Sequence, residues 1–182
     1  MPWSWLSRVR RLLGSPWRSW SRRAVRSRRG TSRVSVIVDT SFLLPTLGVE
    51  VEEECMEVVP LFRKAEVWYL EVALLEAMWK ILKLVGREKL ERVRLGLEAI
   101  RASYRVAEPP PEAYTKAVEI FDKGHRDYID ALHYATASAL GAPFLTVDYR
   151  FIDFLRGAGY RVEGVVITPR ELRKMLGGSL GK

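Results

Sequence analysis

At 182 residues, with 48% hydrophobic and 29% charged side chains, the chain has the length and composition of one well-buried soluble domain plus a tail. Its single cysteine, Cys55, excludes an internal disulfide framework and suits a reducing, cytoplasmic compartment, and no apolar run approaches the roughly 18 residues of a membrane span. The net charge of +8 suggests a polyanion partner, but residues 1–33 hold ten arginines and no acid, which leaves 20 Lys and Arg against 22 Asp and Glu, so the folded part is not basic.

Residues 1–33 read as a basic, Ser-rich, Trp-containing tail. Leu6, Val9, Leu13, Trp17 and Trp20 recur at spacings of three and four, so an amphipathic helix interrupted at Pro16 is one reading, able to lie on an anionic membrane surface or on RNA. The composition also resembles an organellar transit peptide. Arg10-Arg11 hints at a twin-arginine export signal, but no hydrophobic core follows and export is excluded. A solvated tail or an over-extended translation start are the plainer readings.

The stretch from Val34 to Pro45 (VSVIVDTSFLLP) organises the rest. A β-branched run ends abruptly in Asp39, and two hydroxyl residues, Thr40 and Ser41, open the next element. An open α/β sheet delivers polar groups to its rim in this way. Alternatively, Asp39 with Thr40 and Ser41 simply caps the following helix. Three further acids at matching places downstream favour a site.

Val51 to Ala65 has helical spacing with a bend at Pro60, and Glu66 to Leu70 reads as a second strand. A long helix follows, closed by Gly86, with Val72, Leu75, Met78, Trp79 and Leu82 spaced to form a buried stripe. Glu71 and Glu76 both lie near its start; five residues apart, they face different directions, so at most one points toward a given site. Residues 87–104 form another amphipathic helix, whose basic face is interspersed with acids and reads better as solvated than as an RNA surface.

Tyr104 to Ala107 reads as a short strand, and Glu108 to Pro111 as a rigid stop before a helix from Glu112 to Lys123 that Gly124 ends. Arg126 to Gly141 is an Ala-rich helix suited to close packing on a sheet, with Asp127 and Asp130 on one face of its first turns. Pro143 to Asp148 is a strand that again ends in aspartate. Tyr149 to Gly157 is helical, Tyr160 to Val162 reads as the last strand, and Thr168-Pro169 opens a C-terminal helix before a flexible end at 177–182.

Strands alternating with helices predict a mainly parallel sheet covered on both faces, with a crevice beyond the carboxyl ends of its strands. If the strands ending at Asp39 and Asp148 are neighbours, those carboxylates meet there, and helix N-termini bring Asp130 and Glu76 beside them. Such a cluster repels itself unless cations neutralise it, and an all-oxygen donor set favours Mg²⁺ or Mn²⁺ over zinc. His133, one turn after Asp130, reads as a helix-packing residue rather than a general base, and Cys55 as a buried small residue.

Four segments in order, VSVIVDTSFLLP, ALLEAMWKI, IDALHYATASALGAPFLTVDYRF and VITPREL, resemble PIN domains, especially the prokaryotic VapC-like ribonuclease toxins. The resemblance spans residues 34–176 and implies a three-layer α/β/α sandwich with a mainly parallel central sheet. It implies a metal-dependent nuclease, an endoribonuclease hydrolysing RNA, with Asp39, Glu76, Asp130 and Asp148 as the acidic set. Thr40, Ser41 and Thr146 fall at the family's polar positions, Ser41 where Asn often stands, whereas Asp127 falls outside the acidic positions. The resemblance also implies a homodimer neutralised by a small antitoxin that inserts a basic side chain among the acids. Two other readings remain: an aspartate-based phosphatase, which usually carries a second acid where Ser41 stands, and a non-catalytic PIN-like RNA-binding or scaffold module.

Overall fold

The structure, a computed structural model, describes residues 33–84 and 89–177. The expectations for the basic tail, the Gly86 helix stop and the terminus beyond Gly177 lie outside those residues. Among the described residues, five strands form one wholly parallel sheet in the order β3-β2-β1-β4-β5: β1 Val34–Val38, β2 Ala65–Tyr69, β3 Arg105–Val106, β4 Phe144–Leu145 and β5 Val166–Ile167. Seven α-helices accompany them: α1 Glu53–Val58, α2 Glu71–Leu84, α3 Leu90–Ser103, α4 Pro111–Asp122, α5 Tyr128–Leu140, α6 Tyr149–Gly157 and α7 Pro169–Gly177. None is long and apolar enough to cross a membrane.

β1 is the central strand because both of its faces are buried. Val36 and Val38 enter one core with residues of α1, α2, α3 and α7, while Ile37 enters the other with residues of α4, α5 and α6. This makes the expected three-layer sandwich. From β1 the chain builds outward through β2 and β3, then returns to the opposite side of β1 with Ile37 opposite Phe144 and Val38 opposite Leu145. The reversal of strand order therefore falls between β1 and β4, where such sheets hold their ligands.

α5 supplies the small residues that let a helix approach the sheet, burying Ala131, Ala135 and Ala137, and ends at Gly141 in the left-handed conformation (φ 69°). On the other face, α3 lies so close to the segment after β1 that a Cβ on Gly96 would stand 2.4 Å from the Thr46 carbonyl oxygen. The bend expected at Pro60 appears as a change from α1 to a 3₁₀ segment over Val59–Lys64.

Three expectations from the sequence are corrected. The buried face of α2 is Ala73, Leu74, Ala77 and Ile81, whereas Leu75, Trp79 and Leu82, expected in the buried stripe, are 53%, 58% and 72% exposed. The helix is apolar almost all round, so spacing alone does not fix its rotation, and the two alanines permit the closer approach. The last strand is Val166–Ile167 rather than Tyr160 to Val162, because Gly164 at φ 75° turns the chain first and the β-branched pair then meets β4. Finally, α5 begins at Tyr128, which leaves Asp127 in extended backbone as its N-cap rather than on the helix face.

Candidate active site

Asp39 sits immediately beyond β1, where its N–H still donates to Leu145 of β4 at 3.0 Å. Although it stands in an N-cap position, its carboxylate makes no cap hydrogen bond. Instead Oδ2 accepts the Thr146 hydroxyl at 3.0 Å, and the residue is only 7% exposed. Capping, the plainer account of this acid, is thus absent, and the carboxylate is held aside by one neutral donor.

The other two strand-end and helix-start aspartates contrast with it. Asp148 caps α6, its Oδ1 accepting the Phe151 N–H at 2.9 Å while its own N–H donates to Thr146 Oγ1 at 3.0 Å. Asp127 caps α5 through the N–H groups of Ile129 and Asp130 at 2.9 and 3.3 Å, and is exposed. Thr146 therefore links Asp39 to the turn bearing Asp148, and Asp127 presents Asp130.

Glu76, one and a half turns into α2, is oriented from both sides. Thr40 Oγ1 donates to Oε2 at 2.6 Å and Lys80 Nζ pairs with Oε1 at 2.8 Å. Glu71, its competitor, turns away to an exposed pair with Arg101. Ser41 is half-buried and lines an open cleft of about 410 Å³ with Leu44, Glu50, Glu52 and Lys80.

The acids feel one another. Burial holds the Asp39 carboxyl above the ordinary aspartate range, with Glu76 pushing the same way and His133, the Thr146 hydroxyl and Lys80 opposing. Asp130 is pushed up to about 8, first by burial and then by the charges of Asp39, Asp127, Asp148 and Glu76. Two carboxyls displaced by desolvation and by neighbouring acids mark a functional candidate on physical grounds.

The donor set, carboxylate oxygens with a net excess of negative charge, fits Mg²⁺ or Mn²⁺. Among the described residues no three of these side chains converge tightly enough to close a coordination shell themselves. A hard cation held here would draw the rest of its shell from water and phosphate oxygens.

His133 plays the packing role expected of it: fully buried, it stacks on Phe144 and its Nδ1 donates to the Ile129 carbonyl at 2.9 Å. Cys55 is likewise buried, its thiol pushed up to about 12 chiefly by desolvation. Two neighbours of the acids are absent from the set expected on sequence grounds. Lys80 was detectable as the residue one turn beyond Glu76. His125, whose Nε2 lies 3.4 Å from Asp130 Oδ2 while its ring stacks on Phe151, gave no signal, since a loop brings it there.

The PIN domain family profile matches residues 36–155. No curated protein matches the chain in sequence. Among solved structures, PAE2754 from Pyrobaculum aerophilum is similar at TM-score 0.55 and 19% identity over 82% of this chain and 94% of its own. VapBC2 from Rickettsia felis, bound to a DNA fragment from its promoter, gives TM-score 0.53 and 10% identity over 74% and 98%. A toxin-antitoxin complex from Klebsiella pneumoniae gives 0.52 and 15% over 74% and 97%. At such identities these likenesses speak for the fold. The family match carries more, because it runs from β1 into α6 and takes in the whole acidic set, and the chain belongs to the PIN domain family.

Proposed function

We propose that the chain is a Mg²⁺- or Mn²⁺-dependent endoribonuclease whose site is formed by Asp39, Asp130, Asp148 and Glu76, with Thr40, Ser41 and Thr146 in support. The observation that carries this reading is the gathering of acids where β1 and β4 end, with Asp39 tied through Thr146 to the turn bearing Asp148, Glu76 held by Thr40 beside Asp39, and the Asp130 carboxyl pushed up by burial and by these neighbours. Asp39, Asp130 and Asp148 would hold the metal, one or two of them directly and the rest through its water, and once bound it would supply Lewis acidity and a water of lowered pKa. Thr146 keeps Asp39 turned toward β4, the α6 cap fixes Asp148, and Asp127 orients the first turn carrying Asp130. Thr40 fixes Glu76, which orients the metal or its water.

Water attacks phosphorus and the 3′-oxygen departs, leaving a 5′-phosphate and a 3′-hydroxyl without help from the 2′-hydroxyl. RNA as substrate follows from the VapC-like resemblance. From the same source we infer a homodimer neutralised by a small antitoxin protein, the antitoxin being in keeping with a toxin-antitoxin complex among its structural neighbours. The hydroxyl of Ser41, where an aspartate-based phosphatase usually carries its second acid, speaks against that rival.

The test is incubation with labelled single-stranded and structured RNA plus Mn²⁺, beside an EDTA control, with end-group analysis. Metal-dependent cleavage leaving 5′-phosphates is expected. Metal binding without cleavage of any RNA would favour a non-catalytic binding module, and 2′,3′-cyclic ends would overturn the mechanism.

A further inference from the structure

An i,i+4 pair on a helix surface is ordinarily a solvated ornament that adds little to stability. The Glu76–Lys80 pair is built differently. Glu76 has a side chain only 18% exposed, and its second oxygen is tied by Thr40, the residue next to Asp39. The carboxylate therefore acts as a fixed bracket, holding Nζ at 2.8 Å at the edge of the acidic crevice.

An ammonium has three N–H donors, and among the described residues Glu76 is its one hydrogen-bonding partner. The side chain is 43% exposed and lines the 410 Å³ cleft in which Ser41 offers a hydroxyl. The remaining charged lining is Glu50 and Glu52. The charged groups a polyanion meets there are these two carboxylates and Lys80, and Lys80 is the one that attracts a phosphate.

We propose that Lys80 is a substrate-binding residue, its ammonium bracketed by Glu76 and Thr40 and donating to a non-bridging oxygen of an RNA phosphodiester seated beside Ser41. A lysine suits the task as a compact charge with rotatable donors. The interaction deepens the nuclease reading above and rests on it. Because the phosphate carries its charge before and during reaction, Lys80 acts on binding more than on turnover.

The test uses full-length Lys80→Met, Lys80→Gln and Lys80→Arg proteins and a fluorescently labelled single-stranded RNA oligonucleotide. Affinity is read by anisotropy with Ca²⁺ in place of Mn²⁺, and KM and kcat by Mn²⁺-dependent cleavage. Both neutral variants should weaken binding and raise KM roughly tenfold or more, the scale of one charge-assisted hydrogen bond, with kcat falling by less than KM rises because Thr40 still holds Glu76. Their slope of log affinity against log salt should be shallower by about 0.7, and Lys80→Arg should restore affinity and slope. Neutral variants that lower the melting temperature yet keep wild-type KM, affinity and slope would overturn the phosphate interaction in favour of a purely structural pair. Equal weakening in all three variants, arginine included, would overturn it too. Wild-type protein that neither binds nor cleaves RNA would instead overturn the nuclease reading, and Lys80 with it.

Discussion

Thr146 and Asp39 are joined across the sheet's switch point, the hydroxyl donating to Oδ2 at 3.0 Å while its oxygen accepts the Asp148 N–H at the same distance. Both residues of the first bond are buried, and capping supplies Asp39 with no second donor. Removing the hydroxyl leaves a desolvated carboxylate unpartnered, a change that costs about 1–3 kcal/mol. Thr146→Val, which keeps the shape, should be destabilised by that amount, and Thr146→Ser should stay close to wild type. Urea denaturation at neutral pH checks both, and a valine variant as stable as wild type would show that Asp39 has no need of the bond.

Asp130 predicts the pH profile of the metal-free protein. Its carboxyl is pushed up to about 8 by burial and by neighbouring acids, whereas in the unfolded chain it titrates near 4. Between those values the native state holds a proton that the unfolded chain has given up. The contribution of this group to stability is thus full below about pH 4 and is lost as pH rises toward 8. Melting temperature without metal should decline between about pH 5 and 8, and the decline should shrink in Asp130→Asn. Added Mg²⁺ should raise the melting temperature more at the alkaline end, because proton and cation compete for the same oxygens. A flat metal-free profile, or a Mg²⁺ effect unchanged in Asp39→Asn, would count against the acidic cluster.

Asp39→Asn and Asp130→Asn should each fold, with cleavage slower by roughly 100-fold or more, the scale of one preorganised electrostatic interaction. Asp127→Asn is the informative control. It lies three residues from Asp130, but its structural task is to accept the Ile129 and Asp130 N–H groups, which an asparagine oxygen does equally well. Activity should therefore survive. Full activity in folded Asp130→Asn, or its disappearance in Asp127→Asn, would show that the roles of the two aspartates are reversed.

The features legible in the sequence are those governed by local chemistry. A β-branched run broken by an acid locates Asp39 at a strand end, and small residues after Asp130 place α5 against the sheet. Relationships that depend on how elements rotate were not legible. Trp79 and Leu82 face solvent because α2 carries apolar residues around nearly its whole circumference, so its rotation is chosen by the fit of Ala73 and Ala77 and by the Thr40–Glu76 bond. Asp127 and Asp130 looked equivalent at a spacing of three, and only the start of α5 at Tyr128 separates a cap from a site acid. His125 reaches Asp130 through a loop, for which spacing has no rule.

Deleting residues 1–33 should leave a folded, metal-responsive protein, since β1 begins at Val34 and every proposed ligand follows it. The deletion removes ten positive charges and turns a +8 chain into one of about −2. If arginines of this segment neutralise phosphates of single-stranded RNA, the truncated chain binds RNA more weakly, and its slope of log affinity against log salt is shallower by roughly 0.7 for each phosphate no longer neutralised. A membrane-surface role predicts something else: binding to anionic vesicles disappears while RNA affinity stays intact. Trp and Arg serve either partner, by stacking on bases or by seating at a headgroup interface. The expected outcome is a modest RNA effect, because the rest of the chain is net acidic and offers a polyanion little long-range attraction. Anisotropy titrations of full-length and truncated protein at several salt concentrations, run beside vesicle sedimentation, separate these outcomes, and equal affinity with equal slope would refute an RNA role for the segment.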